Sequence, residues 1–274
     1  MSLHKGIFLR VAEPPGATAD IWFVHGFGES GLSFQEAFSS PLASTNNLYV
    51  PDLPGSGVTP PRPDVRSIPS AASVVASLAT ELSSDRPVVL VGHSMGSLIA
   101  VEAARLLGNS VALLVSVEGN LTDEDTYLIR FTKFDTADSF YVALSRHVST
   151  FDEDKEALLR YSASLRLADP ETLWRLGQSG LAATGRIAGA ESFLALTCRK
   201  IYYWGGESLS EKSRGLLENW PDNMKHEFPG AGHWPMITRT RQFYAALAED
   251  VDAANEARMS EHSRPPRYNE RAGD

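Results

Sequence analysis

A serine flanked by small residues is the feature of this sequence best suited to covalent chemistry. Ser94 is the central residue of Gly92-His93-Ser94-Met95-Gly96, which follows an apolar run of strand length and opens a helical pattern. A sharp turn from a strand into a helix exposes a serine hydroxyl, and glycines on either side let the chain bend tightly. The first N–H groups of such a helix also face negative charge that develops on a bound substrate. The pattern predicts that Ser94 is a catalytic nucleophile.

A serine hydroxyl is a weak nucleophile and needs a neighbouring base. Among the seven histidines, His233 is the best candidate because it lies in the loop Pro229-Gly230-Ala231-Gly232-His233-Trp234-Pro235. A loop with this content of glycine and proline is tight enough to hold an imidazole in one place. His25 and His93 lie inside turn motifs, where we expect them to brace the turns.

Two glutamates compete for the role of the acid that orients the imidazole of His233. Glu118 ends the apolar run from residue 111 to 117 and stands 24 residues after Ser94, which leaves room for one helix and one strand. A carboxylate at the end of a buried strand needs a partner, because burying an unpaired charge is costly. We predict Glu118 as this acid, with Glu207 as the alternative.

Apolar runs of strand length alternate with helical patterns and would position these residues. The runs cover residues 21–25, 48–50, 87–91, 111–117 and 201–204. They are continuously apolar, as is typical of strands buried on both faces of a parallel sheet. The alternation predicts a mostly parallel, doubly wound α/β sheet. In such sheets ligands bind at the carboxyl ends of the strands, where Ser94 and Glu118 would lie.

The alternation stops between residues 121 and 196, a stretch that is helical in character and rich in aromatic residues. We expect most of these rings to serve packing. The predicted organisation is an α/β core formed by residues 1–120 and 197–250 and a helical cap formed by residues 121–196, inserted after the sixth strand. Residues 251–274 are predicted to be a disordered polar tail.

Four motifs of this chain resemble those of the α/β-hydrolase fold superfamily in order and spacing, over about residues 5–250. They are His25-Gly26-Phe27-Gly28, Asp52-Leu53-Pro54-Gly55-Ser56-Gly57, Gly92-His93-Ser94-Met95-Gly96 and Gly230-Ala231-Gly232-His233. The resemblance implies an oxyanion hole formed by the backbone N–H groups of Phe27 and Met95. Many members carry the acid as an aspartate where this sequence has Ser208, and some carry it one strand earlier, where Glu118 lies.

Composition narrows the possible partners. The net charge is −9 and the pI about 5.3, so the chain has no overall attraction for nucleic acid or for an anionic membrane. No run approaches the ~20 apolar residues of a membrane span. The single cysteine and the lack of a ligand cluster or a dinucleotide loop predict no metal and no cofactor. We expect a cytoplasmic protein with a small, apolar or aromatic substrate; the sequence defines no oligomeric state.

These features predict a serine hydrolase that cleaves a small ester, thioester or lactone through an acyl-serine intermediate. The same residues could serve a C–C bond hydrolase, a lyase or an amidase, because a fold does not determine its chemistry. A third hypothesis is a non-catalytic receptor that binds a small ligand in the same pocket.

Overall fold

The computed structural model describes residues 2–83, 85–151, 153–206 and 208–262. Within them, eight strands form one sheet: β1 (Ser2–His4), β2 (Ile7–Ala12), β3 (Asp20–Val24), β4 (Asn47–Pro51), β5 (Val88–His93), β6 (Val111–Val117), β7 (Arg199–Trp204) and β8 (Lys225–Glu227). Their order in the sheet is β1-β2-β4-β3-β5-β6-β7-β8. β2 pairs antiparallel with both β1 and β4, and all the other neighbouring strands pair parallel. The predicted mostly parallel α/β sheet is therefore confirmed.

The central strands have the burial that their composition requires. Every residue of β3, β4 and β5 is buried. Strands covered on both sides have no polar face, which explains why their apolar runs are continuous. β2 lies near the antiparallel edge instead, and its buried Ile7 and Leu9 alternate with partly exposed residues. This weaker alternating pattern explains why the sequence did not predict β1 and β2.

Ten α-helices accompany the sheet in the described residues. Before β7 lie α1 (Leu42–Thr45), α2 (Ile68–Leu82), α3 (Met95–Leu107), α4 (Ala137–Val148), α5 (Lys155–Arg166), α6 (Pro170–Thr184) and α7 (Ala188–Leu194). After β7 lie α8 (Glu211–Glu218), α9 (Pro235–Thr238) and α10 (Thr240–His262). Among these helices, none combines the length and the apolar character needed to span a bilayer.

Side-chain caps begin several of these helices. Ser67 caps α2 by accepting the N–H of Ser70 at 3.3 Å, and the hydroxyl of Ser70 accepts the N–H of Ser67 in return. Asp154 caps α5 and Asp169 caps α6 through carboxylate oxygens that accept N–H groups of the first turn. Such caps satisfy donors that have no partner inside the helix.

The helices α4, α5, α6 and α7 all belong to the segment between β6 and β7, which is the predicted insertion. Besides these helices, the segment contains 3-10 turns at residues 123–125 and 129–133. α6 packs on the second of these turns and on α4, and it also contacts α2 and α3 of the sheet layer. The insertion is therefore attached to the helix that begins after Ser94.

The predicted tail is wrong for residues 251–262, because α10 continues to His262. Val251 is fully buried and Ala254 is 3% exposed. These two apolar residues, three positions apart, lie on one face of the helix and pack on the core. The polar residues around them belong to its outer face, which made the segment resemble a disordered tail. Residues 263–274 lie outside the described part of the chain.

Candidate active site

Ser94 lies in the sharp turn between β5 and α3. Its φ of 50° and ψ of −127° fall in a region that side-chain-bearing residues rarely adopt. Its N–H donates to the carbonyl of Val117 at 2.8 Å, which ties the turn to the end of β6. Among the described residues other than glycine, only Lys5, Ser94 and Glu118 have a positive φ. Backbone strain of this kind costs about 1–3 kcal/mol and concentrates at functional sites.

The two glycines around Ser94 are required by close backbone approaches. A Cβ on Gly92 would lie 2.6 Å from the carbonyl oxygen of Gly96. A Cβ on Gly96 would collide with the carbonyl oxygens of Val24 and His25 at the end of β3. Small residues at these positions therefore let α3 start directly against the neighbouring strand.

Glu118 stands at the end of β6, next to the turn that carries Ser94. Its N–H donates to the carbonyl of Tyr203 at 2.8 Å, and its side chain is buried. Oε1 accepts hydrogen bonds from the N–H of Gly205 and, at 2.8 Å, from the hydroxyl of Ser208. Oε2 lies 3.4 Å from Nδ1 of His233. The structure thus brings the predicted acid beside the predicted base.

Ser208 has a role that the sequence did not indicate. It occupies the position where the superfamily commonly has an aspartate, yet here it donates a hydrogen bond to the glutamate of the preceding strand. The predicted acid, Glu118, is therefore in contact with this position through a hydroxyl. Glu207, the alternative acid, lies outside the described residues.

The loop that carries His233 is held by two hydrogen bonds of Ala231. Ala231 donates its N–H to the carbonyl of Gly205 at 3.1 Å, and the hydroxyl of Thr238 donates to the carbonyl of Ala231 at 2.6 Å. His233 itself is buried, and the ring of Tyr127 from the insertion meets its imidazole edge-on, with centroids 5.5 Å apart. These contacts fix the imidazole between the sheet edge and the insertion.

His93 and Glu29 form a buried, hydrogen-bonded pair that the sequence does not predict. Nδ1 of His93 lies 2.9 Å from Oε1 of Glu29, and its Nε2 donates to the carbonyl of His233 at 2.8 Å. Burial by itself would lower the pKa of His93, but the attraction of Glu29 raises it. Burial would likewise raise the pKa of Glu29, but His93 and several hydrogen bonds lower it to about 2. The available signal was a carboxylate directly after the His25–Gly28 motif.

His25 braces the turn that contains Phe27, as expected. Its Nδ1 donates to the carbonyl of Gly26 at 3.0 Å, and its Nε2 accepts the N–H of Leu53 at 3.1 Å. Burial lowers the pKa of His25, in agreement with a neutral ring that donates at one nitrogen and accepts at the other. The turn is closed by the N–H of Glu29, which donates to the carbonyl of Gly26 at 3.3 Å.

Phe27 and Met95 lie under the same helix of the insertion. Both side chains are buried. A Cβ on Gly177 of α6 would lie 2.9 Å from the ring of Phe27, and a Cβ on Gly180 would lie 3.3 Å from Sδ of Met95. The N–H of Met95 belongs to the first residue of α3, where no intrahelical carbonyl can receive it. α6 therefore covers both residues that the resemblance assigns to an oxyanion hole.

A cavity of about 160 Å³ has Glu118, Tyr127, Ser208 and His233 among its walls. Within the described residues, no group of three or more His, Cys, Asp or Glu side chains is arranged to hold a metal ion.

Comparison with known proteins identifies the family. A model of the alpha/beta hydrolase family matches residues 23–247. This chain belongs to the alpha/beta hydrolase family. It is similar to a pimeloyl-(acyl-carrier protein) methyl ester esterase of Chromobacterium violaceum, with 26% identity over 88% of this chain and 97% of that protein. It is also similar to methylesterase 7 of Arabidopsis thaliana, with 24% identity over 84% of this chain and 95% of that protein.

Solved alpha/beta hydrolase structures share the fold at lower sequence identity. One is a variant of the N-acyl homoserine lactonase AidH complexed with N-hexanoyl homoserine, which has a TM-score of 0.71 and 17% identity and covers 90% of this chain and 93% of its own. Another is a thermophilic esterase from Thermogutta terrifontis, with a TM-score of 0.71 and 20% identity over 91% of this chain and 94% of its own. At these identities the likeness establishes the fold.

Proposed function

We propose that this chain is a serine hydrolase that cleaves a small ester, thioester or lactone through an acyl-serine intermediate. In this proposal Ser94 is the nucleophile, His233 the general base and Glu118 the acid that orients the imidazole. The observation that carries the proposal is the 3.4 Å separation of Glu118 Oε2 and His233 Nδ1. These two side chains lie at the end of the sheet where Ser94 occupies its strained turn.

The reaction would proceed in two steps. His233 accepts the hydroxyl proton of Ser94 at Nε2 while the serine oxygen attacks the carbonyl carbon of the substrate. The resulting oxyanion receives hydrogen bonds from the N–H groups of Phe27 and Met95, each contributing about 3 kcal/mol of barrier reduction. The imidazolium returns the proton to the leaving alcohol or thiol, and the acyl group remains on Ser94. A water molecule, deprotonated by His233, then releases the acid and restores the hydroxyl.

Glu118 would act by electrostatics and by fixing the tautomer. In this role its carboxylate accepts a hydrogen bond from the N–H at Nδ1 of His233, which leaves Nε2 free to accept the proton from Ser94. The buried carboxylate also attracts the imidazolium that exists only after this proton transfer, so its contribution falls mainly on kcat. The hydrogen bonds from Gly205 and Ser208 hold the carboxylate in place for this role.

In this proposal residues 1–120 and 197–250 form the core, and the insertion acts as a cap. The cap covers the side of the site where the substrate binds. Support comes from α6 lying on Phe27 and Met95, and from the contact between the rings of Phe27 and Phe140, 6.0 Å apart. The apolar side chains of Phe27, Met95 and Phe140 on this side of the site favour an apolar or aromatic acyl group. The names of the relatives, two methyl ester esterases and a lactonase among them, favour ester and lactone substrates over the C–C hydrolase, lyase, amidase and receptor hypotheses.

Hydrolysis of p-nitrophenyl esters of graded acyl length tests the proposal, with Ser94→Ala as the critical variant. We expect turnover to fall by at least about 10⁴-fold in this variant, because removing the nucleophile leaves only the contribution of binding and the oxyanion hole. A fluorophosphonate probe should label the wild type at Ser94. Ser77→Ala, an exposed serine on α2, is the control and should leave both measurements unchanged. Equal turnover by wild type and Ser94→Ala would contradict the serine mechanism.

A further inference from the structure

Three loops of the site meet at the ion pair of Glu29 and His93. His93 precedes Ser94, Glu29 closes the turn that contains Phe27, and His93 Nε2 donates to the backbone of His233 at 2.8 Å. Both ionic partners are almost completely buried, at 0% exposure for His93 and 2% for Glu29. Neither side chain has a place in the two-step reaction described above.

The hydrogen-bond partners of His93 determine its protonation state. Nε2 faces a backbone carbonyl, which can only accept, and Nδ1 faces the carboxylate of Glu29. Both ring nitrogens must therefore carry a proton, and a histidine with two N–H groups is an imidazolium cation. A neutral tautomer would leave one nitrogen lone pair pointing at an acceptor oxygen inside a buried site.

The surroundings of Glu29 suit an ionised carboxylate, because every described partner donates a hydrogen bond to it. Oε2 accepts the N–H of Gly26 and the hydroxyl of Ser33, each at 2.9 Å, and Oε1 accepts the indole N–H of Trp234 at 2.9 Å. Together with His93 this makes four donors around one carboxylate. A protonated or amide side chain would turn a donor of its own toward some of them.

His25 provides an internal comparison in the same site. It is as buried as His93, but one nitrogen donates to the carbonyl of Gly26 and the other accepts the N–H of Leu53. This pattern suits a neutral ring, and burial lowers the pKa of His25 accordingly. Two buried histidines a few ångströms from the same turn thus have opposite hydrogen-bond patterns, so burial alone does not account for the charge on His93.

We propose that His93 is a permanent imidazolium whose ion pair with Glu29 positions Ser94, the turn of Phe27 and the loop of His233 relative to one another. Both are positioning residues, and their effect on catalysis rests on the serine-hydrolase function proposed above. Glu29 fixes the turn through Gly26 and the histidine loop through Trp234, while His93 joins the same loop to the nucleophile turn. A charge-assisted bond is shorter and stronger than a neutral one, so it holds these separate loops more firmly.

The charged groups around His93 and Glu29 favour the imidazolium form of His93. Glu118 is the second carboxylate acting on His93, and the ring of His233 lies 4.8 Å from its ring, centroid to centroid. Near Glu29 are His25, which is neutral, and Tyr161, whose pKa burial raises so that its hydroxyl stays protonated. The carboxylates therefore dominate the field at His93 and favour retention of both ring protons.

The state of the ring can be measured without any substrate, by long-range ¹H–¹⁵N NMR of the histidine side chains between pH 5 and 9. We expect two N–H groups on His93 and one on His25 throughout this range, with His93→Gln used to assign the signal. In Glu29→Gln the amide can donate to Nδ1, and we expect His93 to become neutral; Glu29→Asp retains the charge and should retain both protons. A single ring N–H on His93 of the wild type at neutral pH overturns the proposal.

Kinetics of the same variants test the positioning role. For Glu29→Gln we expect kcat to fall by roughly 10- to 100-fold with KM within about twofold, and Glu29→Asp should recover part of kcat. Asp20→Asn is the matched control: Asp20 is also a buried carboxylate in an ion pair, with Arg86, but it is the first residue of β3 and so lies at the amino end of the strand, away from the site. This control should lose stability and keep kcat.

The outcomes separate the two proposals. A wild type that reacts with no ester and no fluorophosphonate refutes the proposed function, and the NMR result still decides whether the ion pair exists. An active wild type whose Glu29→Gln variant keeps the wild-type kcat refutes the positioning role and leaves the proposed function intact.

Discussion

Replacing Glu118 by glutamine removes one charge and keeps the shape of the side chain. At the observed 3.4 Å between Oε2 and Nδ1 of His233, the attraction between a carboxylate and an imidazolium is about 5 kcal/mol at an effective dielectric constant of about 20. Because the imidazolium forms only during the reaction, most of this energy is lost from the transition state. The expected fall in kcat is therefore roughly 10³- to 10⁴-fold, with little change in KM.

Steady-state hydrolysis of a p-nitrophenyl ester, with parallel urea unfolding, measures this effect. Glu124→Gln is the matched control, because Glu124 is an exposed glutamate on the wall of the cavity that Glu118 and His233 line. This variant should keep kcat within about twofold. A second variant tests the geometry: in Glu118→Gln with Ser208→Asp, the carboxylate returns to the neighbouring position that already contacts residue 118. We expect kcat of this double variant to be at least about tenfold higher than that of Glu118→Gln alone.

A loss of activity in Glu207→Gln instead of Glu118→Gln would assign the acid to Glu207. If Glu118→Gln is folded and keeps more than about a tenth of the wild-type kcat while Glu207→Gln loses activity, the acid has been misassigned. The electrostatic argument would then apply to a different carboxylate.

Three further predictions concern the supports of the site. Ser208→Ala removes one hydrogen bond to the buried carboxylate of Glu118, and kcat should fall about tenfold at unchanged KM in the same ester assay. Gly177→Ala places a methyl group 2.3 Å from Cγ2 of Thr132 and 2.9 Å from the ring of Phe27, and urea unfolding should show a loss of about 1–3 kcal/mol; an unchanged midpoint would contradict the close packing of α6. Burial acts to raise the pKa of Glu29, but His93 lowers it from 4.5 to about 2. The ionised carboxylate of Glu29 therefore stabilises the fold by about 3 kcal/mol above pH 4.5, and this stabilisation is lost as the pH falls toward 2. Unfolding at several pH values should show a shallower acid dependence in Glu29→Gln.

Local patterns in the sequence were sufficient for most of the fold. The central strands are buried on both faces, so their apolar runs are continuous and can be recognised without knowing their neighbours. The turn at Ser94 carries its own signal in Gly92, because the steric constraint there comes from Gly96 and Ser97, which are close along the chain, whereas Gly96 is constrained by the end of β3. Segments whose burial is only partial, such as β2 and the end of α10, gave weaker patterns and were missed or misread.

The hydrogen bond between Glu118 and Ser208 could not be predicted without the folded structure. Ninety residues separate them, and the sequence offered Ser208 only as a position where an acid was missing. Parallel pairing of β6 and β7 places the ends of these strands side by side, and a hydroxyl there completes the hydrogen bonding of a carboxylate.

The alternation of strands and helices in the core, the family motifs and the residue types able to carry out acyl transfer could all be predicted, because each depends on neighbours along the chain. Which of these groups meet depends on how the chain folds. The ion pair of Glu29 and His93, its attachment to His233 and the approach of α6 to Phe27 join residues 64 to 150 positions apart. Charge and hydrogen bonding in a buried site depend on these distant partners, and no local pattern specifies them.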